Sequence, residues 1–66
     1  MKKIDISIQI TDRSFIITLI PIMDEKILEK YVFTLDHSDF KPGETMMMKL
    51  EKKLSDRALQ FPDIYN

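Results

Sequence analysis

Lys3 to Ile10 alternate without a break: Ile4, Ile6, Ile8 and Ile10 fall on one side, and Lys3, Asp5, Ser7 and Gln9 on the other. A period of two with β-branched residues on one face predicts a half-buried strand. The polar stretch Thr11-Asp12-Arg13-Ser14 reads as a hairpin loop. Phe15 to Met23 are apolar on both faces over most of their length, as a central strand requires. Pro21 interrupts that run. Because proline has no N–H to donate, it is expected at a bulge, a strand end or an unpaired position. Asp24-Glu25-Lys26 predicts a short turn, and Ile27 to Leu35 a third strand. Glu25, Leu28, Glu29 and Val32 also fit a helical face, so a short helix over residues 25–31 is the alternative for this segment.

Pairing Ile10 with Phe15 sets Ile8 opposite Ile17 and Ile6 opposite Leu19. Pairing Met23 with Ile27 sets Leu19 opposite Tyr31, Ile17 opposite Phe33 and Phe15 opposite Leu35. Both hairpins then place their apolar residues on one face, and a slip of one residue would destroy the agreement. The expected core face is Ile4, Ile6, Ile8, Ile10, Phe15, Ile17, Leu19, Tyr31, Phe33 and Leu35.

After a loop over residues 36–43 the period changes to 3.6. Met47, Leu50, Leu54, Ala58 and Phe61 form an apolar stripe flanked by Met46, which predicts a helix running to about Leu59. Pro42 is expected at its first position, with Thr45 as the alternative N-cap, and Pro62 ends it. A tail over residues 61–66 is expected to dock through Phe61, Ile64 or Tyr65. The fold class is therefore α+β: a three-stranded antiparallel β-meander with one C-terminal α-helix packed on one face (βββα), a single domain over residues 1–66.

Composition narrows the function classes. The chain of 66 residues has 44% apolar and 32% charged residues, values of a globular domain rather than a disordered one. A chain this short has marginal stability unless disulfides, a metal or oligomerisation support it. It contains no Cys and a single His, so disulfides, thiolate metal sites and His-rich metal sites are excluded. Self-association or unusually good packing remains, and a homodimer is expected. Ten basic against eleven acidic residues give a net charge of −1, without the basic excess of a dedicated nucleic-acid binder. No apolar run is long enough for a membrane span, and the N-terminus lacks the apolar segment of a signal peptide. A cytoplasmic location is expected. Abundant Ile and Lys, with scarce Gly, Ala and Arg, suggest a low-GC bacterium or its phage.

Candidate chemistry is sparse. His37, in Asp36-His37-Ser38-Asp39, could act as a general base only within a pocket, and none of the serines is spaced to meet it. Asp36, Asp39 and Glu44 could hold a hard cation, but lack the spacing of a calcium loop, and turn and capping roles account for them better. One glycine excludes a Gly-rich phosphate loop. No catalytic residue, cofactor or metal site is expected. Lys49, Lys52, Lys53 and Arg57 form a basic helix stripe, an alternative nucleic-acid face, although Glu44, Glu51 and Asp56 interrupt it. Met46-Met47-Met48 is unusual: the first two suit the core, whereas Met48 projects toward the charged side and suits a contact.

The second sheet face is the expected interface. Ile16, Ile20, Ile22, Leu28 and Val32 lie there with Thr18 and Thr34, and one helix cannot cover both faces. These features together predict a small non-enzymatic module that binds a protein partner. The layout resembles several phage-encoded inhibitors of host enzymes and defence systems in size and architecture, without matching residues. That resemblance implies an inhibitor or modulator.

Overall fold

The computed structural model describes residues 2–66. Strand β1 spans Lys2–Ile10 and pairs antiparallel with β2, Ser14–Met23, with Ile10 opposite Phe15, Ile8 opposite Ile17 and Ile6 opposite Leu19. The loop between them is closed by its own hydroxyls. Thr11 donates its N–H to the Ser14 carbonyl at 2.9 Å, and the Ser14 N–H donates to Thr11 Oγ1 at 3.0 Å.

The third strand forms as two pieces. Strand β3, Lys26–Ile27, pairs with the end of β2, and β4, Tyr31–Asp36, pairs with its beginning. The second hairpin turns on two residues only, Asp24 at φ 52° and Glu25 at φ 68°. Positive φ at both central positions is the turn that matches the strand twist. Met23 therefore faces Lys26 and Ile22 faces Ile27, one residue away from the expected Met23–Ile27 pairing. Beyond the turn the expected register returns, with Leu19 opposite Tyr31, Ile17 opposite Phe33 and Phe15 opposite Leu35.

The difference is absorbed at residues 28–30, where three residues stand against two, Ile20 and Pro21. This bulge lies where proline leaves the ladder a donor short, so skipping a residue there loses least. The Pro21 carbonyl still accepts the Leu28 N–H at 2.8 Å. One consequence is a reversal of face. Ile27 shares the side of Ile22, whereas Glu29 and Tyr31 lie on the opposite side, under the helix. Residues 28–30 are extended irregular chain, so the helical alternative for 25–31 is not what forms.

The segment after β4 makes a short 3-10 turn, His37–Asp39, within the expected loop. Helix α1 spans Met46–Gln60. Thr45, not Pro42, begins it: the Thr45 hydroxyl accepts the Met48 N–H at 3.2 Å, while Pro42 and Gly43 form a turn with Gly43 at φ 86°. Leu50, Leu54 and Ala58 of the expected stripe pack inward, but at its first position Met46 takes the place of Met47, which is exposed, as is Phe61 at its end. The Phe61 N–H bonds the Arg57 carbonyl to close α1, and Pro62 opens the one-turn helix α2, Pro62–Tyr65.

Ile17, Leu19 and Pro21 are fully buried, with Leu50 and Tyr65 close behind. Ile4, Phe15, Tyr31, Phe33, Leu35, Leu54, Ala58 and Ile64 pack around them. The expected core face is correct in side but too wide in extent. Ile6, Ile8 and Ile10 lie on it and are 41%, 42% and 73% exposed. A helix with side chains is about 10 Å across and strands are about 4.8 Å apart, so one helix roofs two strands. Helix α1 lies over β2 and β4, and α2 covers β1 only at Ile4.

Candidate protein-interaction surfaces

The second face of the sheet is built from the even positions of β2. Ile16, Thr18, Ile20 and Ile22 are half-buried and form a central apolar lane. On one side, through the β1 register, stand Gln9, Ser7, Asp5 and Lys3; on the other stand Thr34 and Val32, then Ile27. Val32 and Ile27 are 56% and 55% exposed, and Leu28 is exposed beside them. An apolar lane bordered by polar side chains is the anatomy of a protein contact. The bulge adds Ile27, because it turns that residue to the side of Ile22. A shallow depression of about 760 Å³ lies at this end, lined by Lys3, Ile22, Asp24, Glu25 and Ile27. Met48 is exposed on α1, away from this lane, beside Glu44, Lys49, Glu51, Lys52 and Ser55.

The four basic residues of α1 do not share one solvent-facing surface. Lys49 lies 3.1 Å from the Glu44 carboxylate and 5.7 Å from the centre of the Phe40 ring. Lys53 sits 4.9 Å over Phe33. Arg57 stacks 3.8 Å over Tyr31 and 4.6 Å from Phe61, and its Nη2 donates to Glu29 Oε1 at 2.6 Å. Lys52 is the one on the outer side of the helix, exposed. Cations over aromatic faces are attracted by the ring quadrupole, which holds Lys53 and Arg57 toward the sheet and Lys49 toward Phe40.

Glu29, Arg57 and Tyr65 form a cluster that the strand and helix patterns did not single out. The Tyr65 hydroxyl and the Arg57 guanidinium both donate to Glu29 Oε1. The Tyr65 hydrogen bond, followed by the pairing with Arg57, holds the Glu29 carboxyl below its ordinary pKa against the opposing effect of burial. Burial, followed by the nearby Glu29 carboxylate, pushes the Tyr65 phenol up. Burial opposes the Arg57 charge, and the interactions with Glu29 and Tyr65 together outweigh it, so Arg57 stays charged. The signal was present in the sequence. Arg57 falls three residues after Leu54 and four before Phe61, which is apolar-stripe spacing, and Glu29 shares the odd parity of Tyr31. Lys2 adds to the same end: its Nζ donates to the carbonyls of Asp63, at 2.8 Å, and Asn66.

His37 stacks on Phe15 with ring centres 4.8 Å apart and 18° between planes. The acidic residues around it close turns: Asp39 Oδ2 accepts the Asp36 N–H at 2.7 Å, and Glu44 Oε1 accepts the Lys41 N–H at 2.8 Å. The latter bond, then Lys49, lowers the Glu44 pKa. Among the described residues no group of three His, Asp or Glu side chains is placed to hold a metal ion. No helix among them is long and apolar enough to cross a membrane. No known family model matches the chain, and neither a curated protein nor a solved structure is detectably similar to it.

Proposed function

We propose that this chain is a non-enzymatic protein-interaction module that works as a homodimer and holds a target protein on its second sheet face. The observation that carries the reading is the uncovered lane of Ile16, Ile20 and Ile22, with Ile27, Leu28 and Val32 beside it. Among the described residues the helices lie on the other face. Occupying a target's surface is also a means of inhibiting or modulating an enzyme without chemistry of its own, which fits the small size.

The test compares the wild-type chain with an Ile20→Lys/Val32→Lys double variant. Both serve as bait, each retained protein is identified and purified, and its direct affinity for both forms is measured by calorimetry. A target bound by the wild type and lost by the double variant is expected, with the circular dichroism of the two forms unchanged. A target whose affinity is the same for both forms would refute the assignment of the second face.

A further inference from the structure

The outer edge of β1 presents unpaired main chain and uncovered apolar side chains at the same positions. The Pro21 carbonyl accepts the Leu28 N–H, and the His37 N–H bonds the Arg13 carbonyl. Odd positions of β2 and of the residue before it therefore direct their main chain toward β3 and β4. Even positions face β1, as the Thr11 N–H bond to the Ser14 carbonyl confirms. Within the register, Ile16, Thr18, Ile20 and Ile22 exchange bonds with Gln9, Ser7, Asp5 and Lys3. The N–H and C=O groups of Ile4, Ile6, Ile8 and Ile10 then point outward. No strand among the described residues pairs with that edge. It is nine residues long, contains no proline, and carries the exposed Ile6, Ile8 and Ile10. Natural sheets shorten, charge or cover such an edge unless it pairs.

We propose that β1 pairs antiparallel with β1 of a second copy of this chain, about a twofold axis at Ile6, to make one continuous sheet. This rests on the interaction-module reading but on a different surface from the second face. Parity selects the geometry. Both edges offer even-numbered main chain, so an even residue must face an even residue, and the isoleucine faces of the two copies merge. An axis at Asp5 would set that carboxylate against itself. An axis at Ile6 pairs the whole of Lys2 to Ile10: Ile4 opposes Ile8, Lys3 opposes Gln9 and Asp5 opposes Ser7, with no like charges opposed.

Coverage also fits this register. In each copy α2 sits over the Lys2–Ile4 end of β1, and the Ile8–Ile10 end is open. Pairing about Ile6 brings each open end beside the covered end of the other copy. The open end borders an apolar groove of about 480 Å³ lined by Ile8, Ile10, Phe15, His37, Phe40 and Met46. The second copy's α2 stands alongside that groove. The surface area agrees. The chain exposes 4967 Å². A compact monomer of 7.8 kDa exposes about 4,400 Å². The chain therefore exposes roughly 600 Å² more than a compact monomer of its mass, as an open apolar edge would make it do. The radius of gyration, 12.7 Å, likewise exceeds the ~11 Å of a compact chain of this length.

The test is molar mass by light scattering behind a sizing column, over a wide concentration range. The wild type is expected at twice 7.8 kDa. Ile6→Pro should run at half the wild-type mass with its circular dichroism retained, because the Ile6 N–H bonds nothing inside the sheet. If Ile6→Pro does not fold, Ile8→Lys decides, since it places a charge on the exposed edge: a folded single chain supports the pairing, and a dimer refutes it. Ile20→Lys/Val32→Lys should stay dimeric. A wild type that is single-chain at every concentration would overturn the proposal. So would a dimer that survives Ile6→Pro and is lost in Ile20→Lys/Val32→Lys, since self-association would then belong to the second face. Loss of target binding by the latter variant with the dimer intact separates the two surfaces.

Discussion

Removing one oxygen tests the pin that fastens the C-terminus to the sheet. Tyr65→Phe keeps the buried ring and deletes the hydroxyl that donates to Glu29. Hydrogen bonds to charged groups contribute about 1.5–3 kcal/mol. The Glu29 side chain is 26% exposed and keeps Arg57 as a partner, so the loss falls below that range, to the about 1 kcal/mol of an ordinary hydrogen bond. A chain of 66 residues unfolds with an entropy of roughly 0.14 kcal/mol/K, which converts this to a fall in Tm of about 7 °C. The loss should depend on pH. The folded-state pKa of Glu29 is depressed, so its contribution is complete above the ordinary glutamate value of about 4.3 and is lost as pH falls through the lower folded value. Tyr65 is raised, so its contribution is complete below about pH 10 and is lost as pH rises through the folded value. Thermal unfolding by circular dichroism at pH 7 and pH 3 should therefore give a large difference between wild type and variant at pH 7 and a smaller one at pH 3. A difference under about 2 °C at pH 7, or one of equal size at both pH values, would refute the reasoning.

Two further substitutions test the start of α1. Thr45→Ala removes the side-chain acceptor for the Met48 N–H and should lower stability by about 1 kcal/mol in urea titration, with Thr45→Ser close to neutral. Gly43→Ala meets no atom within 4 Å, so its cost should come from backbone alone at φ 86°, about 1–2 kcal/mol; a neutral result in the same titration would mean the turn relaxes to another conformation.

Most of the fold was legible because it rests on two-residue alternation. The strict run from Ile4 to Ile10 and the apolar β2 leave one pairing that puts isoleucine against isoleucine, and the structure adopts it. The turn at Asp24 and Glu25 was not legible at single-residue precision, because neither residue advertises positive φ as Asn-Gly would. Pro21 carried the signal of a bulge but not the side on which it would fall. The helix start was misplaced because Pro42 is an attractive first residue, yet the Thr45 hydroxyl provides a stronger cap. The open β1 face escaped pattern reading altogether. Alternation reports which side a residue faces, whereas the width of the roof depends on how many strands one helix can span. The charge of Arg57 points to a basic face, whereas its spacing from Leu54 and Phe61 points to the apolar stripe, and it lies over aromatic rings.

The Lys2 bonds to the carbonyls of Asp63 and Asn66 join positions more than sixty residues apart. The hairpins, by contrast, close over a few residues each. Loop-closure entropy makes the near pairings form first and the distant one last. Docking of α2 is thus expected to come last in folding and to reverse first. Ile4 and Tyr65, packed on either side of that seam, would bare a fresh apolar strip each time it opens.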